Sequence, residues 1–183
     1  MIFAFGHRKQ QGKDTCVNIL ADYMNKHTMV DPVICSFARP LYACCKELVP
    51  EFFSKSFYDA HPERKEVKID RLGKSPRQIL IDVGQSLKQT LGPDCFARAV
   101  LSRELEQWER MLISDLRFPV EAKMVREKGG VLIKVVRPTI MVEGDSVDDV
   151  MEEWTDWDEV IVNDGTLEDL RGKVIDMFGR RNK

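Results

Sequence analysis

The chain has 183 residues, enough for one domain with a substantial core and too few for two ordinary ones. Its 28 basic and 30 acidic residues give a formal charge of −2, so no global basic field suits a nucleic-acid polymer. Hydrophobic residues make up 43%, yet no run approaches the roughly 20 apolar residues that cross a bilayer, so no membrane-spanning helix is expected.

The chain opens on the apolar run Ile2-Phe3-Ala4-Phe5, which reads as a buried strand. No basic leader precedes it, and a cytoplasmic protein is expected. The polar stretch Gly6 to Thr15 and the apolar positions Val17, Ile19 and Leu20 follow, as a loop and the start of a helix. An oligophosphate needs backbone N–H groups converging at a helix N-terminus, a glycine that lets the backbone approach, and a lysine reaching the outer oxygens. Gly12 and Lys13 supply the last two. The usual pattern is Gly-x4-Gly-Lys-Ser/Thr, but here five residues separate Gly6 from Gly12. Either His7 stands where the first glycine belongs or the loop is one residue longer. Asp14 takes the hydroxyl position that ordinarily binds magnesium, with Thr15 one residue later, so Asp14, Thr15 or water would complete a metal shell.

Helical periodicity runs from Cys16 to Lys26 through Val17, Leu20, Ala21 and Met24. Residues 32–37 read as a short buried strand, and Ala38-Arg39-Pro40 leads into a helix over 41–49. Alternating strands and helices predict a parallel sheet whose ligands gather beyond the strands' C-terminal ends, which places Ser36, Phe37 and Arg39 on the rim of the phosphate loop. Residues 50–75 are irregular, with Phe52, Phe53, Phe57 and Tyr58 before a charged run, and read as a solvated loop or a substrate-binding insert. Ser75-Pro76 starts a helix by N-cap and N1 chemistry. Ile79, Leu80, Val83, Leu87 and Leu91 form its apolar stripe, with Arg77 and Gln85 off it. A helix over 95–109 follows, with Ala99, Leu101, Leu105 and Trp108 for packing.

Met111-Leu112-Ile113-Ser114-Asp115 is a second apolar strand. An acid at the C-terminal end of such a strand is placed to order magnesium, and Arg117 to clamp a phosphate. The alternatives are a helix cap and a surface ion pair. A helix over 120–128 ends at Gly129-Gly130, and a strand over 131–136 closes at Arg137-Pro138. The acidic stretch 141–158, around Trp154 and Trp157, reads as an exposed helix or lid. A strand over 159–162, a capped turn over 163–166 and a final helix with Leu167, Leu170, Val174 and Met177 inward complete the chain. The five cysteines, Cys16, Cys35, Cys44, Cys45 and Cys95, lack paired spacing, which argues against a disulfide framework or a zinc site.

Taken together, Gly12-Lys13-Asp14-Thr15, Ser36-Phe37-Ala38 with Pro40-Leu41, Ser75-Pro76-Arg77-Gln78 with Val83-Gly84, residues 113–119 with Glu121-Ala122, 135–138 and Asn163-Asp164-Gly165-Thr166-Leu167 resemble the deoxynucleoside monophosphate kinase family of the bacteriophage type, within the P-loop kinase fold that includes adenylate kinase. The resemblance implies a three-layer α/β/α domain over 1–183, with a mainly parallel sheet, a substrate-binding insert at about 38–95 and a lid at about 138–158. It implies transfer of the γ-phosphoryl group of ATP, with magnesium, to a deoxynucleoside 5′-monophosphate for DNA precursor synthesis, in a host cytoplasm if the protein is phage-encoded. Gln11, Gly12, Lys13, Asp14, Thr15, Arg137, Asn163, Gly165 and Thr166 would bind ATP. Ser36, Phe37, Arg39, Arg77, Gln85, Asp115 and Arg117 would bind the monophosphate. Lys13, Asp115 and Arg117 would act in transfer, and Asp14, Thr15 and Asp115, through water for some, would hold the metal. After Arg137-Pro138 the His-x-Ser-Glu pattern of many relatives is absent; only Gly144-Asp145-Ser146 and Glu152-Glu153 stand there. Another small-molecule P-loop kinase and a non-catalytic nucleotide-binding regulatory module are the alternatives. The oligomeric state is open, a homodimer included.

Overall fold

Mainly apolar runs of three to six residues form the five strands of this protein, whose structure is a computed structural model describing residues 1–50, 62–105, 109–140 and 149–181. They are β1 (Ile2–Gly6), β2 (Val33–Cys35), β3 (Met111–Leu116), β4 (Val131–Val136) and β5 (Glu159–Val162). All neighbouring pairs run parallel in the order β2-β3-β1-β4-β5. The order puts β1 at the centre, with both of its faces covered, and every residue of β1 is buried.

Six α-helices lie among the described residues: α1 (Lys13–His27), α2 (Arg39–Leu48), α3 (Pro76–Leu91), α4 (Cys95–Leu105), α5 (Pro119–Glu127) and α6 (Leu167–Arg181). Two short 3-10 turns lie at Pro62–Lys65 and Asp149–Met151. The described chain divides into two compact units, one of Met1–Phe37 with Val100–Lys183 and one of Ala38–Ala99.

In the first unit, Val17, Leu20, Ala21 and Met24 of α1 and Leu170, Val174 and Met177 of α6 pack with Phe3, Phe5, Leu112 and Ile133 in one cluster, as the periodicity predicts. The Phe3 and Phe178 rings meet at 5.8 Å between centroids. Leu167 instead is the first residue of α6 and is exposed. In the second unit α3 starts as expected: Ser75 is the N-cap, its hydroxyl accepts from Gln78 N at 3.3 Å, and Pro76 follows. Gly84 lies under Leu41 of α2, where an added Cβ would stand 3.2 Å from Leu41 Cδ2. Ile79, Leu80, Val83 and Leu87 are half-buried, but Leu91 is exposed at the last turn. On α4 the buried residues are Cys95, Ala97, Val100 and Leu101, and Ala99 faces solvent.

Two segments differ more from expectation. β2 has three residues rather than six, since Ser36 and Phe37 leave the edge strand to hydrogen-bond Asp115. Residues 149–158 are not an exposed helix: after the turn at Asp149–Met151 the chain is irregular, and Met151 is buried. Phe52, Phe53, Phe57, Tyr58, Trp108 and residues 141–148 lie outside the described residues. Four cysteines are buried and Cys44 is exposed. Burial pushes the Cys16 thiol up to about 12, which keeps it protonated and unreactive. No helix among the described residues is long and apolar enough to cross a membrane.

Asp158 fixes the entry to β5. Its carboxylate accepts from Arg126 Nη1 at 2.8 and 2.9 Å and from Leu132 N at 2.8 Å, and its own N–H donates to Leu132 O at 2.9 Å. Asp158→Ala leaves the Leu132 N–H without this partner, and a loss of about 1–3 kcal/mol in urea unfolding is expected.

Candidate functional site

Because all five strands are parallel, their C-terminal ends line one edge of the sheet. Along it, within the first unit, stand His7 after β1, Ser36 after β2, Asp115 near the end of β3, Arg137 after β4 and Asn163 after β5. Residues up to 156 positions apart in sequence are thereby placed on one rim by the sheet order.

The loop from β1 to α1 curls around a lysine ammonium. Lys13 Nζ donates to His7 O at 3.0 Å and also to Arg8 O. The first of these carbonyls belongs to a residue that bears on the loop's register. His7 lies six residues before Lys13, the place of the first glycine in Gly-x4-Gly-Lys, so the loop has ordinary length and begins one residue after Gly6. The backbone agrees: His7 has φ +95°, Gln10 +61° and Gly12 +98°. A non-glycine residue held there costs about 1–3 kcal/mol and persists only where its surroundings over-determine it.

The surroundings of His7 do so. The imidazole is buried, and its Nε2 lies 2.8 Å from Glu152 Oε1. Arg8 Nε reaches the same oxygen at 2.7 Å. Burial and the nearby Lys134 charge hold His7 below the ordinary imidazole range, against the opposing pull of Glu152. Burial raises Glu152, but His7, Arg8 and Lys134 together outweigh it and hold the carboxyl below its usual range. At neutral pH the imidazole is therefore neutral, with Nε2 beside the Glu152 carboxylate and the Val135 backbone also acting on the ring.

Gln11 and Asn163 brace the far side of the loop. Gln11 is 3% exposed, and its side-chain oxygen accepts from Arg137 N. Asn163 Nδ2 donates to Gln11 O at 3.1 Å. A Cβ on Gly12 would stand 2.6 Å from Asn163 Nδ2, so Gly12 is required both by its dihedral and by this close approach. Gly6 is confined in the same way, since an added Cβ would meet the Trp157 ring at 2.6 Å. Trp157 Nε1 in turn donates to Trp154 O at 2.8 Å. Helix α1 begins at Gly12 with no side-chain cap, and Asp14 and Thr15 are exposed on its first turn.

Farther along the rim, β3 carries one more residue than β1 between the pairs Ala4–Ile113 and Gly6–Leu116, and this bulge sets the direction of Asp115. Asp115 Oδ2 accepts from Ser36 Oγ at 2.6 Å and Oδ1 from Phe37 N at 2.8 Å. The Phe37 ring itself is core. Arg117 N and Phe118 N donate to Glu121 Oε2 at 2.9 and 3.1 Å, which holds the chain that carries the Arg117 side chain. The Asn163–Thr166 turn is the capped start of α6: Thr166 N and Oγ1 reach Asp169 Oδ2 at 2.8 and 2.7 Å, and Asp169 leaves no room for a side chain at Gly165. Arg137 is exposed.

Arg39, Arg77 and Gln85 belong to the second unit and are exposed there, with Arg77 Nε on Glu66 Oε1. Glu152 and Trp157 are the residues that sequence reasoning did not place at the site. The only signal was their position in the acidic, tryptophan-bearing stretch.

No family model matches the chain. Over 182 residues it is 30% identical to a protein of Acanthamoeba polyphaga mimivirus named "Putative deoxynucleotide monophosphate kinase", covering 91% of this chain and 90% of that one. That relative is from a giant virus rather than a bacteriophage. Two solved structures share the fold: a dephospho-CoA kinase from Campylobacter jejuni, at TM-score 0.52 and 15% identity over 97% of this chain and 95% of that one, and TT1252 from Thermus thermophilus, at TM-score 0.50 and 18% identity over 98% and 97%.

Gly12→Ala meets both the positive dihedral and Asn163, and should lower stability by about 1–3 kcal/mol in chemical unfolding. The depressed His7 pKa gives a second test. The unfolded chain takes up this proton first, so stability is lost as pH falls through about 6.5 toward the lower folded value. His7→Asn, whose side chain tolerates positive φ, should flatten that part of the profile of urea midpoint against pH.

Proposed function

The chain belongs to the deoxynucleotide monophosphate kinase family, and from that membership we propose that it transfers the γ-phosphoryl group of ATP to a deoxynucleoside 5′-monophosphate, giving the diphosphate and ADP for DNA precursor synthesis. The observation that carries the reading is the closed loop around Lys13, standing at the C-terminal end of the central strand of a P-loop kinase fold.

The acceptor oxygen of a monophosphate is already ionised at neutral pH, so transfer needs alignment and charge neutralisation rather than a general base. In this mechanism the turn from His7 to Gly12 and the start of α1 receive the donor phosphates. Lys13, once drawn from the His7 and Arg8 carbonyls toward the β and γ oxygens, follows the charge as it migrates. Arg117 neutralises the acceptor phosphate or the transferred group, and Arg137 contacts the donor from the rim. Asp115 holds Ser36 and the Phe37 amide in place beside the acceptor. Arg77 is proposed as a further acceptor-phosphate ligand on the motif resemblance, and Arg39 and Gln85 as acceptor-binding residues on their places after β2 and off the apolar stripe of α3. Asn163, Gly165 and Thr166 are proposed to border the adenine through the backbone of their turn, since the Asn163 and Thr166 side chains already serve the loop and α6.

Magnesium fits this donor set. Asp14 and Thr15 offer hard oxygen ligands exposed on the first turn of α1, and such a cation takes one or two protein oxygens with the rest from phosphate and water. Asp115, whose two oxygens already accept hydrogen bonds, would reach it through water. When bound, the ion withdraws charge from the phosphate oxygens.

The test is ADP release with ATP and a panel of the four deoxynucleoside monophosphates, their ribose counterparts and unrelated small-molecule acceptors. Deoxynucleotide-dependent release supports the proposal. Release with another acceptor only, or ATP binding with no turnover, overturns it. Lys13→Ala should lower kcat by about 10²–10³-fold, the usual loss for one transition-state charge contact, with an unchanged circular dichroism spectrum.

A further inference from the structure

We infer that Glu152 is a positioning residue for the phosphate loop: by holding the His7 imidazole and the Arg8 guanidinium, it keeps the two carbonyls that cradle Lys13 in place where the loop lacks its first glycine. The inference rests on the phosphate-binding reading of the loop and adds to it a residue from outside the loop.

Three observations converge. His7 occupies a left-handed backbone conformation that glycine adopts freely and histidine does not, so something outside the residue must hold it. One oxygen, Glu152 Oε1, lies 2.8 Å from His7 Nε2 and 2.7 Å from Arg8 Nε, and these two residues are the ones whose carbonyls accept from Lys13 Nζ. Glu152 is itself held by its neighbours: Met151 is buried before it, and Trp157, against the Gly6 position, and Asp158, paired to Arg126 and Leu132, follow. A carboxylate on an anchored strap can thus replace by hydrogen bonding what a glycine supplies by having no Cβ. Besides Arg8 and His7, the charged group facing it is Lys134 of β4, which favours its ionised form.

The dependence on His7 is what distinguishes positioning from general support, and a double-mutant cycle reads it. ADP affinity is measured by calorimetry on the full chain for the parent, E152A, E152Q, H7G and H7G/E152A, so that no acceptor need be known. E152A should weaken ADP about tenfold in the parent and less than about threefold in H7G, where glycine holds the positive φ unaided. E152Q, which keeps an oxygen for the imidazole N–H, should stay within about threefold of the parent. Equal losses from E152A in both backgrounds, or equal losses in E152A and E152Q, would overturn the inference. A parent that binds no ADP defeats the phosphate-loop reading itself and shows as a flat parent titration, whereas a parent that binds as well as E152A defeats this inference alone.

Discussion

An ammonium group bonded to two backbone carbonyls holds the loop together. Lys13 Nζ bonds the His7 and Arg8 oxygens, and to accept those bonds the chain must leave β1, turn through left-handed dihedrals at His7, Gln10 and Gly12, and return to begin α1. A buried ammonium without acceptors would be costly, so the lysine selects the curled loop over extended alternatives. The same bonds keep the positive charge at the helix N-terminus, where the backbone N–H groups of the first turn add to the local positive potential.

Around that contact the protein spends side chains as braces. Gln11 joins the loop to the backbone after β4, Asn163 joins it to the end of β5, and Glu152 joins it to the strap before β5. Asp115 does for the β2 end what Asn163 does for the loop, taking one bond from Ser36 and one from the Phe37 amide. Several residues whose types suggest ligand chemistry are therefore engaged with the framework. That division of labour suits phosphoryl transfer, in which the protein contributes fixed position and charge rather than covalent steps.

The sheet makes the bracing possible. A parallel arrangement with β1 central brings the ends of β3 and β4 to its two sides, and β2 and β5 lie one strand farther out. The bulge of β3 against β1 then turns Asp115 toward β2. Two glycines mark where the braces come closest: Trp157 fills the space a side chain would need at Gly6, and Asn163 fills it at Gly12.

The sequence alone determined what depends on neighbours a few residues away. The apolar runs of β1, β3 and β4, the inward stripes of α1 and α6, the Ser75-Pro76 helix start and the turn at Gly12 into α1 are local patterns of period, capping and dihedral preference, and they stand where their residues put them. Terminal turns were less legible: Leu91 and Leu167 fit their helical stripes, but each lies at a helix end and is exposed. The left-handed turn at His7 was decided only by tertiary structure, because histidine in that conformation makes sense once Glu152, 145 residues away, is beside it. The pairing of Asn163 with Gln11 across 152 residues has the same cause. Contacts of that length follow from strand order, and strand order is a property of the packed sheet, which spacing along the chain does not encode.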